Sequence, residues 1–247
     1  MRIHVVNPNT TASMTAGIAA AARRAAGPGV TILAGNPDEG PASIEGYFDE
    51  ALCVPGLLKE IAAAERAGID AHVIACFDDT GLDAARALAA APVVGIGEAA
   101  YHVASLVAGR FSVVTTLARS IPALEHNLRR TGLAERCARV RAAEIPVLAL
   151  EAPGSEAEAR IAAEIGRAIA DDRAEAIVLG CAGMADLAGR LSARFGVPVI
   201  EGVGAAVRLA EALIGLGLKT SKVGGWAPPL PKAWSGPFAP LADGAAK

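Results

Sequence analysis

Two of the four cysteines, Cys76 and Cys181, end matching sequence patterns and could act together as acid and base. Cys76 closes segment 70–76 (DAHVIAC), and Cys181 closes segment 175–181 (EAIVLGC), 105 positions later. Each segment is rich in aliphatic residues, which is typical of a strand buried on both faces, and each runs into a predicted helix. Because ligands of parallel sheets bind beyond the carboxyl ends of the strands, both thiols are predicted to lie at a binding site.

Thiols in that position suit proton transfer. The free N–H groups and dipole of a following helix favour an anion, so each thiol is expected to have a lowered pKa and to form a thiolate near pH 7. One thiolate would remove a proton from a carbon beside a carbonyl group, and the opposite thiol would return one to the other face. The predicted chemistry is racemisation or epimerisation of a small-molecule substrate. It needs no cofactor when the substrate's own carbonyl delocalises the charge.

The other two cysteines are predicted to be bystanders. Cys53 lies in a helical stretch and Cys137 in a polar segment after Arg136. A cysteine of this kind is usually a small buried hydrophobe. We do not expect the four cysteines to form a disulfide framework, since the chain is predicted to be cytoplasmic.

Further segments repeat at nearly the same spacing as the cysteine pair, which indicates an internal duplication. The matched pairs are 3–7 with 111–115, 92–94 with 198–200, and 95–99 with 202–206. Small drifts in spacing are expected from short loop insertions. The duplication predicts two similar lobes related by a pseudo-two-fold axis, with the thiols facing each other across the cleft between them.

Aliphatic runs alternate with Ala-rich helical stretches, which predicts an α/β fold with short, mostly parallel sheets flanked by helices. We assign residues 1–97 plus about 205–247 to lobe 1 and residues 98–204 to lobe 2. The predicted strands are 3–6, 30–34, 72–75, 93–95, 112–115, 140–145, 177–180 and 197–200. The predicted helices are 11–26, 49–67, 82–90, 98–108, 120–131, 155–170, 186–195 and 205–216.

The segment after Lys219 has a different character. It is rich in glycine and proline, which excludes regular structure, and it holds both tryptophans, Trp226 and Trp234. We expect this tail to wrap on the surface, onto a neighbouring subunit. Its Gly and Pro residues are Gly224, Gly225, Pro228, Pro229, Pro231 and Pro237.

Composition excludes several classes of protein. With 53% hydrophobic residues and a net charge of −3 in 247 residues, the chain is not disordered. A sequence pI of about 5.9 and the lack of a basic patch disfavour nucleic acid. The mean hydropathy of +0.39 suggests a membrane, but charges interrupt every apolar window before about 18 residues. The N-terminus shows no signal-peptide pattern, so the predicted location is the cytoplasm.

Two patterns imitate cofactor sites. Residues 95–100 (GIGEAA) resemble a dinucleotide fingerprint, but the next strand ends in threonines instead of an acid for the ribose. His72 and Cys76, with Asp78 or Asp79, could suggest zinc, but no set of three or four convergent ligands is evident. No metal and no cofactor is therefore predicted.

The motifs together resemble the aspartate/glutamate/hydantoin racemase superfamily, and most of all its hydantoin racemase branch. They are VVNPNT (5–10), GPASIEGYFDE (40–50), VIACFDDTGLDAAR (73–86), FSVVTT (111–116) and AIVLGCAGMADLA (176–188), and they span most of the chain. The resemblance implies a cofactor-independent two-base mechanism with Cys76 and Cys181 as the acid/base pair. It implies 5-monosubstituted hydantoins or the related ureide allantoin as substrates, and a homo-oligomer.

Other positions carry over by motif as substrate contacts. Asn9 and Thr116 end equivalent strands and could reach the cleft, although either could instead cap a helix. Ile44 would form a wall beside the substrate. Main-chain N–H groups would hold the enolate-like oxygen, and the residues implied for this are Phe77, Asp79, Thr80, Ala182 and Gly183.

One departure bears on the substrate. The family commonly has glycine two residues after the first cysteine, and this chain has Asp78. A carboxylate there could raise the pKa of the thiol by like-charge repulsion. The alternatives are an allantoin racemase, an aspartate/glutamate-type racemase, a maleate-type isomerase with one nucleophilic cysteine, or a two-lobed binding protein that needs neither thiol.

Overall fold

The computed structural model describes residues 1–151, 156–235 and 238, and strands alternate with helices along the chain. The strands are β1 (Arg2–Val6), β2 (Thr31–Gly35), β3 (Ala71–Ile74), β4 (Val93–Gly95), β5 (Phe111–Thr115), β6 (Cys137–Ala142), β7 (Ala176–Gly180) and β8 (Val199–Glu201). The helices are α1 (Ala12–Ala25), α2 (Tyr47–Arg66), α3 (Leu82–Leu88), α4 (Ile96–Val107), α5 (Ile121–Arg130), α6 (Ala157–Asp172), α7 (Ala188–Phe195) and α8 (Gly202–Gly215).

The strands form two four-stranded parallel sheets of the same topology. The first has the order β2-β1-β3-β4 and the second the order β6-β5-β7-β8. Each strand of the first sheet thus has a counterpart at the same place in the second. This arrangement confirms the α/β fold with two similar parallel sheets, and it is consistent with the predicted pseudo-two-fold symmetry.

One buried cluster joins the two sheets. It contains Val5 and Val73 of the first sheet, Val113 and Val178 of the second, and residues of α4 and α8. Two further clusters cover the outer faces, one on each sheet. Burial on both faces explains why the central strands are nearly continuous in aliphatic residues. The division of the chain at about residues 97 and 205 stays a prediction.

Strand β6 shows where the sequence pattern misleads. We expected a strand at 140–145, and β6 instead spans Cys137–Ala142. It lies at the edge of its sheet, and most of its residues are only partly buried. Its polar side chains therefore interrupt the aliphatic run that marks a buried strand. The expected start of the helix at 155–170 falls outside the described residues, within which α6 begins at Ala157.

The described part of the tail packs on its own chain. The Lys222 amine donates to the carbonyl oxygens of Arg86 (2.5 Å) and Ala87 (3.2 Å). The Trp226 indole N–H donates to Asp83 Oδ1 at 3.2 Å, and the Arg86 guanidinium lies 4.9 Å from the Trp226 ring centre. Lys222 and Trp226 therefore hold this part of the tail against α3. Pro237 lies outside the described residues.

The described residues also bear on membrane insertion and on metal binding. No helix there is both long enough and apolar enough to cross a membrane. No group of three or more His, Cys, Asp or Glu side chains in the same part of the chain is arranged to hold a metal ion.

Candidate active site

Cys76 and Cys181 occupy equivalent places in the two sheets. Cys76 comes two residues after β3, and Cys181 directly follows β7. Strands β3 and β7 hold the same position in their sheets, because β3 lies next to β1 and β7 lies next to β5. Both cysteines line one cavity. Topology alone thus brings together two thiols that are 105 positions apart in the sequence.

The cavity draws its walls from both halves of the chain. Its volume is about 40 Å³, which is room for about three ordered waters. The residues on the first side are Asn7, Asn9, Met14, Ile44, Ala75, Cys76, Phe77 and Asp78, and those on the second are Thr115, Thr116, Ser120, Val147, Gly180, Cys181 and Ala182.

The backbone before Cys181 is tightly fixed. The Thr115 hydroxyl donates to the carbonyl oxygen of Gly180 at 3.0 Å, which ties the ends of β5 and β7 together. A Cβ on Gly180 would lie 2.8 Å from the Thr115 Cβ, so this close approach requires glycine. The two contacts hold the Cys181 backbone against the neighbouring strand.

Asn7 and Asn9 build the turn after β1. The Asn9 side-chain oxygen accepts hydrogen bonds from the Thr11 N–H at 2.9 Å and from Asn7 Nδ2 at 2.8 Å. This is the Asx-type turn that was one of the two expectations for Asn9. Its amide nitrogen lies 3.7 Å from the Met14 sulfur, and both residues line the cavity. Asn9 therefore shapes the turn and also presents an amide to the site.

The loop that carries Ile44 crosses to the other half of the chain. Ile44 is buried and lines the cavity, as a wall residue would. Next to it, the Glu45 carboxylate accepts a hydrogen bond from the Val147 N–H at 2.8 Å. The loop is also tied to the turn after β1, because the Thr11 hydroxyl donates to the Ala42 carbonyl oxygen at 2.7 Å.

The Cys76 thiol lies in an environment that favours its neutral form. Burial, reinforced by the nearby Asp78 carboxylate, raises its pKa well above the ordinary value for a thiol. Hydrogen bonding by Thr80, whose hydroxyl oxygen is 3.5 Å from the sulfur, only partly opposes this. The expectation of a lowered pKa is therefore wrong for Cys76, whereas the expected effect of Asp78 agrees with this environment. Seven residues separate the end of β3 at Ile74 from the start of α3 at Leu82.

Asp79 points away from the cavity. Its carboxylate accepts hydrogen bonds from the N–H groups of Gly97 (2.9 Å) and Glu98 (2.8 Å), at the start of α4. Its own N–H donates to the Cys76 carbonyl oxygen at 3.0 Å. A Cβ on Gly95 or Gly97 would collide with the Asp79 carboxyl group. The glycines of the dinucleotide-like pattern thus make room for this cap, and both the carboxyl group and the main-chain N–H of Asp79 form hydrogen bonds within the chain.

The remaining predicted contacts divide into two groups. Thr116 and Ala182 line the cavity, and Phe77 does so while its ring packs edge-on against Tyr101 in the core, with ring centres 5.5 Å apart. Thr80 instead faces a second cavity beside Cys76. Gly183 is absent from the lining, although a Cβ there would be 3.8 Å from the Cys181 sulfur.

Neither Cys53 nor Cys137 is among the residues that line this cavity. Burial raises the pKa of both thiols to about 12. His72, considered as a metal ligand, has its ring nitrogens 3.1 Å from His4 and 2.8 Å from Glu65.

Several lining residues escaped the sequence reasoning. Asn7 and Thr115 stand at the last positions of the repeated segments 3–7 and 111–115, so the repeat itself could have identified them. Ser120 and Val147 come from connections that follow β5 and β6, and no sequence signal marks them.

The chain is an α/β protein with two parallel sheets of the same topology, and the thiols at the same strand end of each sheet line one cavity. A sequence profile of the family described as Asp/Glu/hydantoin racemase matches residues 3–210. The chain belongs to this family, which confirms the resemblance read from its motifs.

Individual relatives are similar in sequence to this chain over nearly its whole length. A hydantoin racemase from Rhizobium meliloti is 52% identical over 96% of this chain and 98% of its own. A hydantoin racemase from Pseudomonas sp. (strain NS671) is 48% identical over 90% of each chain. Among solved structures, the allantoin racemase from Klebsiella pneumoniae superposes with a TM-score of 0.96 at 50% identity, covering 98% of each chain.

Proposed function

We propose that the protein racemises 5-monosubstituted hydantoins without a cofactor, with Cys76 and Cys181 as the two acid/base groups. The observation that carries the proposal is the single cavity lined by both thiols, one from each half of the chain. A planar carbanion formed between them can be approached from both faces, which is what inversion at one carbon requires.

The proton balance of the reaction is simple. The thiolate on one face takes the C5 proton and forms an S–H bond, while the C–H electron pair moves into the adjacent carbonyl to give an enolate. The thiol on the other face then donates its proton to C5 and becomes the thiolate. Each turnover thus exchanges the thiol and thiolate forms between the two cysteines. Positioned acid/base groups of this kind contribute on the order of 10²–10⁴-fold to a rate.

The enolate oxygen needs hydrogen-bond donors. The Asn9 amide and main-chain N–H groups around Ala182 are the polar groups of the cavity that suit this role. The Asn9 side-chain oxygen is already used in its turn, so its amide end is the part available to a ligand. Donors fixed in this way stabilise charge as it develops without having to reorganise.

The charge of the cavity argues against an amino acid as substrate. No Lys, Arg or His side chain is among the described residues that line it, and Asp78 adds a carboxyl group. A substrate α-carboxylate would have no cation to bind and would be repelled by Asp78. A neutral hydantoin ring avoids that cost and also delocalises the carbanion charge over its own carbonyls. This favours hydantoins over the aspartate/glutamate-type and maleate-type alternatives.

Allantoin remains a candidate within the same proposal. It is itself a hydantoin ring with a ureido group at C5, and the structurally similar protein from Klebsiella pneumoniae is an allantoin racemase. The ring chemistry is common to both substrates, so the two alternatives differ only in the 5-substituent.

We also propose that the protein is a cytoplasmic homo-oligomer. None of the four cysteines is in a disulfide, as suits a reducing compartment. Phe48 and Leu52, one turn apart on α2, are 74% and 54% exposed, and such side chains suit a subunit contact. Light scattering at several protein concentrations tests the assembly; a monomer at all of them would contradict it.

Proton exchange in D₂O tests the substrate class. Hydantoins bearing an alkyl or a ureido group at C5 should exchange the C5 proton in the presence of the protein, while aspartate, glutamate and maleate should not react. Turnover of an amino acid with no hydantoin exchange would overturn the proposal. Binding of hydantoin with no exchange at all would instead support the two-lobed binding protein.

A further inference from the structure

A pair of acidic side chains lies directly beside Cys76. Asp78 lines the thiol cavity and also a second, larger cavity of about 440 Å³, in which Glu50 of α2 faces it. The two carboxyl groups influence each other, because burial and the neighbouring Glu50 together raise the pKa of Asp78, and burial raises that of Glu50. Glu50 Oε1 is buried and has no hydrogen-bond partner in the described residues. This pair is not used by the racemisation steps above.

Asp78 has two direct connections to the thiol. After burial, its carboxyl group is the largest influence that raises the pKa of the Cys76 thiol, whereas its main-chain N–H lowers that pKa to a smaller extent. The Asn127 amide of α5 donates to the Asp78 carbonyl oxygen at 2.7 Å, which fixes the turn from the other half of the chain. The position of the carboxyl relative to the thiol is therefore held from both halves.

Among the described residues, no cation contributes to the pKa shifts of Glu50 and Asp78. Arg130 of α5 reaches the second cavity, but its guanidinium bonds to Asp83 Oδ2 at 2.9 Å. The titratable groups around the pair come from α2, the turn after β3, α3 and α5, and they are Tyr47, Asp49, Cys53, Cys76, Asp79, Asp83, His126 and Arg130. Acidic groups outnumber basic ones in this set, so the local electrostatic field disfavours the negative charge of a Cys76 thiolate.

We propose that Asp78, paired with Glu50, is a positioning residue that keeps Cys76 as the proton-donating thiol of the resting enzyme. Cys181 then supplies the thiolate, because a two-base racemase needs one of each and the described lining residues on the Cys181 side of the cavity include no carboxyl group. The resting enzyme would accept the substrate enantiomer whose C5 proton faces Cys181. This inference rests on the proposed two-thiol function, and it adds which thiol holds the proton before substrate binds.

The carboxyl pair also sets where this effect changes with pH. Burial and the neighbouring Glu50 raise the pKa of Asp78 to about 7. Below that pH the Asp78 carboxyl is neutral and repels a Cys76 thiolate less, whereas above it the carboxylate holds Cys76 more firmly as the thiol.

Alkylation of the thiols without substrate tests the assignment apart from racemase activity. The full-length protein is treated with iodoacetamide at a series of pH values, and labelling of the Cys76 and Cys181 peptides is followed by mass spectrometry. In the wild type, Cys76 should be half-labelled at a higher pH than Cys181. Half-labelling of Cys76 at the same pH as Cys181, or lower, would overturn the proposal, and this comparison needs no variant to fold.

Variants separate charge from packing. Asp78→Asn should lower the half-labelling pH of Cys76 by about one unit or more, and Asp78→Glu should keep it near the wild-type value. Glu60→Gln is the matched control, because Glu60 is a partly buried carboxyl on the same helix as Glu50 with its pKa raised by burial and by Asp38. It should leave Cys76 unchanged. An unchanged half-labelling pH of Cys76 in folded Asp78→Asn would contradict the role of Asp78.

Discussion

The Glu45 carboxylate bonds to the Val147 N–H at 2.8 Å and so joins two segments that are 102 residues apart. Glu45 follows the wall residue Ile44, and Val147 is itself a wall residue of the same cavity. Both residues therefore belong to the wall that surrounds the two thiols. The Glu45–Val147 hydrogen bond thus ties the wall segment from the first half of the chain to the wall segment from the second.

Removing this contact should weaken substrate binding. Glu45→Ala is expected to raise KM by about tenfold, which corresponds to the loss of one hydrogen bond to a charged group, with a smaller effect on kcat. Glu45→Gln keeps an acceptor oxygen and should lie between Ala and wild type. The exposed loop residue Glu39 provides the control, and Glu39→Ala should leave KM unchanged. Steady-state kinetics that show equal KM for all four proteins would refute the role of Glu45.

The close contact at Gly180 predicts a sharp effect on rate. Gly180→Ala places a Cβ 2.8 Å from the Thr115 Cβ and must displace the backbone that carries Cys181. A shift of about 1 Å costs on the order of 10²-fold in kcat/KM. Gly189→Ala is the matched control, because nothing lies within 4 Å of a Cβ there. Equal rates for the two variants would show that this contact does not position Cys181.

Asp79 should contribute to stability more than to substrate binding. Its carboxylate accepts two N–H groups at the start of α4, and Asp79→Ala leaves both without this partner. We expect the free energy of unfolding to fall by about 1–3 kcal/mol in urea titrations. Asp79→Asn retains one acceptor and should lose less. If Asp79→Ala were as stable as the wild type but had a much higher KM, Asp79 would be a substrate contact instead of a stabilising residue.

The buried His4 predicts a loss of stability on mild acidification. Burial, with a smaller contribution from His72, lowers the pKa of His4 to about 4. An unfolded chain binds this proton near pH 6.5, so unfolding takes up a proton between about pH 6.5 and 4. The free energy of unfolding should therefore fall as pH drops through this window, by up to about 3 kcal/mol.

Substitution of His4 tests the origin of that pH dependence. His4→Gln keeps a polar side chain but cannot titrate, so its free energy of unfolding should change less between pH 6.5 and 4. Urea titrations at several pH values compare the two proteins. Parallel losses of stability in both would place the responsible group elsewhere.

The sequence predicted those parts of the fold and site that depend on local pattern. Buried strands such as β3 and β7 appear as aliphatic runs, and the repeat located Cys76 and Cys181 at equivalent strand ends. The alternative use of Asn9 in an Asx-type turn also follows from residue type. In each case the deciding interactions lie within a few residues along the chain.

Features set by long-range contacts could not be read in this way. Asp79 stands in the motif beside Cys76, but only the packing of α4 shows that its carboxylate turns away from the cavity. Val147 reaches the site through a connection with no distinctive residues. The raised pKa of Cys76 depends first on burial, which the sequence pattern did not reveal, and second on Asp78, whose effect the sequence did suggest.

The central claim, that two thiols act on opposite faces of one carbon, is tested most directly by tracing the isotope in D₂O. A single enantiomer of a 5-substituted hydantoin is converted by the wild-type protein to a few per cent, and deuterium at C5 is measured separately in both enantiomers. Deuterium is expected in the product enantiomer and almost none in the remaining substrate, because different thiols remove and deliver the proton. Equal deuterium in the two enantiomers would indicate one base serving both faces and would contradict it.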